Sequence, residues 1–255
     1  MSSERATRPV RLSAVLITRN EEANLPGCLA SLQGLADEIV ILDSESTDGT
    51  VAVGEAAGAR VAGHRFDGFG AAKQRALEMA TGAWVLSVDA DERVTPRLAD
   101  EIRGVMASES AAAGYEIRRD VFFLGRRLRF GGMGNDWVLR LFRRAGARFS
   151  RTPVHEHVEI DGRTARLRGA LEHHAYRSLA EHVEKMNRYT DIQARMKSER
   201  GVRYRSWMWV RLPWEVFVRC VLRLGVLDGT AGVIFATMSA YSAWLRYAKT
   251  WRPAG

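Results

Sequence analysis

Short apolar runs that alternate with helical patterns constrain the fold of this chain more than any other feature of its sequence. The runs span Leu12–Ile17, Glu38–Leu42 and Trp84–Val88, and continuous aliphatic stretches of this length are typical of strands covered on both faces of a sheet. Helical spacing predicts a helix after each run, with Thr95 and Pro96 opening the last one. This alternation predicts an α/β fold with a mostly parallel sheet.

Three polar clusters follow the apolar runs. They are TRNEE (18–22), DSESTDGT (43–50) and DADE (89–92). Each cluster taken alone is also typical of a turn, a helix cap or a solvated loop. Open α/β sheets bind ligands at the carboxyl ends of their strands, so three clusters at one such edge predict a binding site there.

Asp89 and Asp91 stand one residue apart at the end of an apolar run. Two carboxylates this close repel each other unless a cation lies between them. Mg²⁺ and Mn²⁺ are hard ions that accept a few carboxylate oxygens and complete their coordination with water and substrate phosphates. The sequence therefore predicts a Mg²⁺ or Mn²⁺ site at Asp89 and Asp91 that neutralises a departing diphosphate.

The same clusters carry a family resemblance. The NEE after the first strand, the D-x-x-S-T-D-G-T segment and the D-A-D together resemble an inverting glycosyltransferase of family 2. The resemblance implies a GT-A fold, in which a nucleotide-sugar-binding, Rossmann-like mixed sheet is flanked by helices. It also implies a metal-dependent hexosyltransferase that uses a nucleotide sugar as donor.

The resemblance further assigns a donor site. Its D-x-D holds the cation and the diphosphate, the acid after the second strand contacts the base, and the glutamate after the first strand lies by the nucleoside. Many members carry two aspartates and a glycine in the second motif, whereas this chain has Asp43, Ser44 and Glu45, a departure that concerns base recognition. The nucleotide-sugar-binding residues implied are Thr18, Arg19, Asn20, Glu21, Asp43, Lys73, Asp89, Ala90 and Asp91.

Further motifs narrow the resemblance. GFGAAKQRAL, LSVDADERV, LRLFRR, VHEHV and LDGTAG occur in an order that resembles bacterial lipopolysaccharide core glucosyltransferases. That resemblance implies transfer of glucose, from UDP-glucose, in β-1,4 linkage to an inner-core heptose. The same fold acting on a polyprenyl phosphate or another glycan is the alternative.

Transfer with inversion requires a single general base for the acceptor hydroxyl. The candidates are Asp136 in GGMGNDW and Glu156 in VHEHV, of which Glu156 is preferred. His155 is either a hydrogen-bonding partner of phosphate or acceptor, or a structural histidine. The HEH sequence also suggests the hypothesis of a zinc site. The absence of H-E-x-x-H and of any nearby cysteine argues against it.

Eight arginines lie between Arg126 and Arg151, with Asp136 as the single acid. Guanidinium groups pair bidentately with phosphate, so this stretch predicts a surface for a diphosphate or a phosphorylated acceptor. Arg140 and Arg143, both in LRLFRR, are the predicted phosphate- and acceptor-binding residues. A basic solvated face is the alternative.

The composition changes after about Gly201. Tryptophans and arginines interleave in RSWMWVRLPWEVFVRCVLRLGVL, which is typical of an amphipathic helix in a lipid interface, and the 17 residues of Gly229–Leu245 carry no charge. We expect a catalytic domain over 1–200 and a C-terminal amphipathic, hydrophobic helical segment over 201–255. The segment is expected to be peripheral or monotopic on the anionic cytoplasmic face of the inner membrane. Helices packed on the catalytic domain, or in a dimer of otherwise unpredicted oligomeric state, are the alternative.

The net charge of +8 indicates an anionic partner. It leaves a non-catalytic nucleic-acid-binding protein as a rival of another class, although the sequence has no RNP-like aromatic pattern and its carboxylates would repel nucleic acid. Nucleic acid is therefore not expected as a partner. Cys28 and Cys220 lie far apart and outside any C-x-x-C spacing, which indicates a reducing compartment. The polar start of the chain is not typical of a secretion signal.

Overall fold

The computed structural model describes residues 11–108, 112–150 and 157–251. These residues form two compact units. The first comprises the described residues within Met1–Arg119 and Trp137–His173, and the second those within Asp120–Asp136 and His174–Gly255. The predicted domain boundary after residue 200 falls inside the second unit.

The first unit is built on a mixed β-sheet. Its order is β3-β2-β1-β4-β8-β6-β11-β5. The strands among the described residues are β1 (Leu12–Thr18), β2 (Glu38–Asp43), β3 (Arg60–Gly63), β4 (Trp84–Ser87), β5 (Glu92–Val94), β6 (Gly114–Phe123), β7 (Arg126–Arg127), β8 (Trp137–Arg143), β9 (Arg148–Phe149), β10 (Val158–Glu159) and β11 (Thr164–Tyr176). Strand β1 pairs in parallel with β2 and with β4, and β2 pairs in parallel with β3. Strand β8 pairs antiparallel with β4 and with β6, and β5 pairs antiparallel with β11.

The predicted apolar runs are the parallel strands β1, β2 and β4, so the α/β prediction is confirmed. In β1 and β2 the register sets Thr18 beside Asp43, which puts the first two polar clusters at the same sheet edge. The antiparallel half comes from β5 and from residues after 113, to which the sequence assigned no strands, so the expectation of a mostly parallel sheet is wrong. This half makes the sheet mixed, as the family resemblance implied.

Alternating residues of β1 face two separate cores, as the period of two along a strand requires. Ala14 and Leu16 pack with residues of the helices α1 (Leu25–Leu32) and α4 (Pro96–Ala107). Val15 packs on the opposite face with Ala72 and Ala76 of α3 (Phe69–Met79). A sheet covered on both faces explains why its strands read as continuous apolar runs.

The predicted start of α4 is confirmed by its cap. The hydroxyl of Thr95 accepts a hydrogen bond from the amide of Leu98 at 3.3 Å, and Pro96 occupies the first helical position. The remaining helix of the first unit, α2 (Thr50–Ala56), begins within the second polar cluster.

The second unit contains the helices α5 (Leu179–Glu199), α6 (Arg211–Phe217) and α7 (Gly229–Ala248), together with β7 and the ends of β6 and β11. Its core contains Phe123, whose ring meets that of Phe235 in α7 edge to face, with ring centres 5.2 Å apart. The predicted C-terminal helical segment is therefore present.

The chain from Ser206 to Ala248 is an interrupted helix pair. A 3-10 turn (Ser206–Val210), α6 and a π turn (Val218–Leu222) form one arm. A 3-10 turn (Gly225–Asp228) and α7 form the other. Among the described residues no single helix has the length and apolarity to cross a membrane, while these two arms, bent by 71°, meet that criterion only when taken together.

Candidate active site

Asp43 is fixed at the carboxyl end of β2. It is 3% exposed, and its carboxylate accepts hydrogen bonds from the Thr18 hydroxyl at 2.9 Å, the Ser46 amide at 2.9 Å and the Ser46 hydroxyl at 2.6 Å. These bonds join the loop after β1 to the loop after β2. Contact of Asp43 with the nucleotide base stays a prediction. In the structure the Asp43 side chain is buried beneath the two loops.

The rest of the TRNEE cluster is tied to the same loop. Asn20 adopts a left-handed backbone, with φ of 56°, which asparagine tolerates better than most residues, and its side-chain oxygen accepts from the Thr47 amide at 2.8 Å. The Glu21 amide donates to the Thr50 hydroxyl at 2.7 Å. Arg19 is exposed. The structure thus brings these predicted donor residues together at one edge.

The DADE cluster is a tight turn between β4 and β5. The Asp89 amide donates to the Glu92 carboxylate at 3.0 Å, and the Glu92 amide donates to the Asp89 carbonyl at 2.9 Å. Ala90 is 4% exposed. The turn begins just after β4, the parallel neighbour of β1, so its acids stand at the edge that carries Thr18.

Asp89 lies between two cations. Arg140 of β8 approaches one carboxylate oxygen at 2.5 Å, and Lys73 of α3 approaches the other at 3.4 Å. Burial acts to raise the pKa of Asp89, but the charges of Arg140 and Lys73 outweigh it and hold the pKa well below its ordinary value. Asp89 is therefore an anion, and Lys73 lies beside the D-x-D. Contact of Lys73 with a diphosphate stays a prediction.

Arg140 also contacts a second acid that the sequence analysis did not assign. Its guanidinium lies 2.7 Å from the carboxylate of Glu92, with 4% of the arginine side chain and none of the glutamate side chain exposed. Arg119 of β6 approaches the same carboxylate at 3.6 Å. Burial raises the pKa of Glu92, with Asp89 adding to the effect and Arg140 opposing it. Binding of phosphate by Arg140 stays a prediction.

Asp91 pairs with His173 at the end of β11. The distance from the carboxylate to Nε2 is 3.3 Å, and the two side chains are 17% and 21% exposed. His173 reaches this position because β11 pairs with β5, which sets it opposite Glu92. Burial lowers the pKa of His173, but the hydrogen bond and charge of Asp91, with Glu92, raise it overall. No donor-site role for His173 is predicted from the sequence.

The structure does not bring every predicted residue to this cluster. Arg143, at the end of β8, has its guanidinium 4.7 Å from the ring centre of Trp84. Asp136 is half-buried, directly before β8, and belongs to the second unit. His155 and Glu156 lie outside the described residues. Their roles stay predictions.

Known proteins identify the class to which this site belongs. Residues 13–175 match the family described as "Glycosyl transferase family 2". The chain therefore belongs to glycosyltransferase family 2, and the resemblance of its motifs is confirmed.

The relatives extend over nearly the whole chain. The "Lipopolysaccharide core biosynthesis glycosyltransferase LpsC" of Rhizobium meliloti (strain 1021) is 31% identical over 95% of this chain and 95% of its own length. An uncharacterized glycosyltransferase of Rickettsia typhi is 28% identical over 94% of this chain and 86% of its own length.

Solved structures are similar over a smaller part. Glucosyl-3-phosphoglycerate synthase from Mycobacterium tuberculosis, in complex with Mn²⁺, UDP and glucosyl-3-phosphoglycerate, is 28% identical over 44% of each chain, with a TM-score of 0.37. Mannosyl-3-phosphoglycerate synthase from Rubrobacter xylanophilus is 28% identical over 44% of this chain and 40% of its own, with a TM-score of 0.39. A likeness of this extent defines neither the fold nor the substrate of the present chain.

Proposed function

We propose that this glycosyltransferase is a metal-dependent, inverting hexosyltransferase that moves glucose from UDP-glucose to a hydroxyl of the lipopolysaccharide inner core. The observation that carries the proposal is the acidic turn at Asp89 and Asp91, which stands at the sheet edge beside the loops after β1 and β2. The acceptor class is supported by the similarity to LpsC over 95% of both chains.

The side chains at the turn fit a divalent cation. Asp91, in the turn before β5, and His173 of β11 lie 3.3 Å apart, both partly exposed. Among the residues that the structure describes, no group of three or more acidic, histidine or cysteine side chains is arranged to hold a metal ion. Mg²⁺ and Mn²⁺ sites in enzymes of nucleotide substrates commonly use one or two protein ligands, with water and phosphate oxygens as the others. Asp91 and His173, with Asp89 adjacent, would hold the ion.

When bound, the cation would neutralise the charge that develops on the departing diphosphate. Lys73 would bind the diphosphate of the donor already before the reaction, since its ammonium group lies at Asp89. The loops that carry Arg19, Asn20 and Glu21 are cross-linked to the loop after β2. A preorganised pair of loops would hold the nucleoside without further ordering, which lowers the cost of donor binding.

The acceptor hydroxyl must attack the anomeric carbon from the side opposite the diphosphate, and it loses a proton as the bond forms. Glu156 is the proposed base, with Asp136 as the alternative and His155 as a hydrogen-bonding neighbour. Because this base activates the acceptor hydroxyl itself, the sugar is transferred in a single displacement, without a covalent glycosyl intermediate. The product then has the opposite anomeric configuration to the donor.

The test is a transfer assay with purified protein, a panel of nucleotide sugars and three acceptors: inner-core lipopolysaccharide, a polyprenyl phosphate and an unrelated glycan. We expect transfer of glucose from UDP-glucose to the inner core, loss of transfer in EDTA and recovery in Mn²⁺, with a β-linkage in the product by NMR. Transfer to the polyprenyl phosphate alone would show that the proposed inner-core acceptor is wrong. An α-linked product would contradict inversion.

The matched variants for this assay are Asp91→Asn and Asp100→Asn. Asp91 faces His173, whereas Asp100 is a surface acid on α4, 76% exposed and paired with Arg103. We expect the first variant to lose turnover and the second to retain it. Equal turnover in both variants would remove Asp91 from the donor site.

A further inference from the structure

The second unit exposes a compact group of large aliphatic side chains where its two C-terminal arms meet. The exposed fractions run from 47% to 61% over five residues: Val221, Leu222, Leu224, Val226 and Leu227. We refer to these five residues as the apolar elbow. Scattered single apolar residues are normal on protein surfaces, whereas a contiguous group marks an interaction site.

The backbone of the elbow has a defined bend. Leu224 adopts a left-handed backbone, with φ of 57°, at the break between the two arms, a conformation that aliphatic residues rarely adopt. Gly225 follows, and a side chain there would meet the Arg219 carbonyl at 2.6 Å. The bend of 71° between the arms is thus fixed by close backbone packing.

Hydrogen bonds tie the elbow to the loop over residues 128–132 of the same unit. The Gly131 amide donates to the Arg223 carbonyl at 2.8 Å. The Asp228 carboxylate accepts from the amides of Arg129 and Phe130 at 3.0 and 2.9 Å. These bonds hold the aliphatic side chains outward at little entropic cost on docking.

Aromatic and basic side chains continue this surface along the first arm. Trp207, Trp209 and Trp214 are 58% to 64% exposed. Arg211 of the same arm is also exposed, as are Arg203 and Arg205, which precede the arm in sequence. Tryptophan is enriched at the water interface of membranes, and arginine pairs with lipid phosphates.

The acids of this region offset only part of the arginine charge. Glu215 is engaged by Arg211 and Arg219, at 3.8 and 3.6 Å, and Asp228 is engaged in the bonds to the 128–132 loop. The exposed surface is therefore apolar and positive. Two copies placed face to face would bring like charges together, whereas an anionic lipid surface complements both properties.

We infer that the apolar elbow is a docking surface for an anionic lipid bilayer, with its aliphatic side chains entering the acyl boundary and the neighbouring arginines contacting headgroup phosphates. This docking does not depend on the proposed reaction, because it needs neither donor nor acceptor. Failure of one proposal therefore leaves the other intact.

The experiment is co-sedimentation of the full chain with vesicles of phosphatidylcholine alone and of phosphatidylcholine mixed with phosphatidylglycerol. We expect binding to the anionic vesicles that weakens as salt is raised. The double variant Leu222→Ser and Leu227→Ser should lower the partition coefficient by about tenfold or more. Arg203→Gln with Arg205→Gln should lower it roughly fivefold per residue, on anionic vesicles alone.

A control variant removes two exposed apolar side chains from α5 in the same unit. Val183 and Ile192 are 45% and 51% exposed, and their double serine variant should bind vesicles as the wild type does. Thermal unfolding checks that all variants are folded. The inference is overturned by absence of binding to anionic vesicles, by equal losses in the control, or by sedimentation velocity showing a dimer that the leucine variant dissociates.

Discussion

Arg140 donates to Glu92 over 2.7 Å within the first unit, and neither side chain has appreciable access to water. The same guanidinium reaches Asp89 at 2.5 Å. Arg140 thus joins a fully buried acid to the partly exposed acid that begins the D-x-D. The orientation of Asp89 is set by a buried ion pair behind it.

Glu92→Gln is expected to destabilise the fold, because it leaves the buried Arg140 with one charged partner fewer. Removing one member of a buried pair costs about 3 kcal/mol or more. Urea unfolding measures the change. Arg103→Gln is the control, since Arg103 pairs with Asp100 at 2.8 Å on the surface and such pairs contribute less than about 1 kcal/mol. Equal stability of Glu92→Gln and wild type would show that the pair does not support the fold.

Lys73→Met is expected to weaken donor binding more than turnover. The ammonium group lies 3.4 Å from Asp89, and loss of one charged contact to a diphosphate raises KM for the donor by roughly tenfold. Steady-state kinetics at saturating acceptor separate KM from kcat. Arg75→Met on the same helix removes a cation that pairs with the surface residue Asp67 at 3.0 Å and should leave both constants unchanged. A fall in kcat alone would contradict a role in binding.

The sequence predicted the parallel half of this site because parallel strands end at one edge. Thr18, Asp43 and Asp89 each follow an apolar run, so their proximity required only the rule for carboxyl ends of strands. His173 and Arg119 arrive on antiparallel strands from more than 25 residues away in sequence, and no local pattern reports such pairing. They could not be assigned before the strand order was known.

Arg140 shows a different limit of sequence reasoning. An arginine in a basic stretch predicts an anion partner, and the structure supplies one from the protein itself, Glu92. The C-terminal segment shows the same limit. Its interleaved tryptophans and arginines predict an interfacial helix, but they do not predict that the helix is broken. The break at Leu224 is accompanied by close packing of Gly225 against Gly131 and the Arg219 carbonyl, which composition does not encode.

Glu38 is expected to make stability depend on pH in the acid range. Its carboxylate accepts from the Ser13 hydroxyl at 2.5 Å and from the Thr81 amide at 2.9 Å, and Arg60 lies at 3.1 Å. Burial acts to raise the pKa of Glu38, but these bonds and the charge of Arg60 lower it below its ordinary value of 4.5. The folded state then binds fewer protons than the unfolded state, so the stabilisation is complete above pH 4.5 and is lost as pH falls through the lowered pKa.

Comparison of Glu38→Gln with wild type by urea unfolding across pH tests this prediction. The difference in free energy of unfolding between the two proteins should be about 1 kcal/mol at neutral pH. It should shrink as the pH falls below the pKa that the Glu38 carboxylate has in the unfolded state. A difference that stays constant with pH would exclude a charged Glu38 as its origin.

The most direct test of the donor site is Mn²⁺ binding in the presence of UDP, measured by electron paramagnetic resonance without any acceptor. We expect binding by the wild type and by Asp100→Asn, and a loss of affinity on the order of 100-fold in Asp91→Asn, because a charged ligand is worth several kcal/mol. His173→Gln should weaken binding as well. Unchanged Mn²⁺ affinity in both Asp91→Asn and His173→Gln would contradict a cation site at the acidic turn.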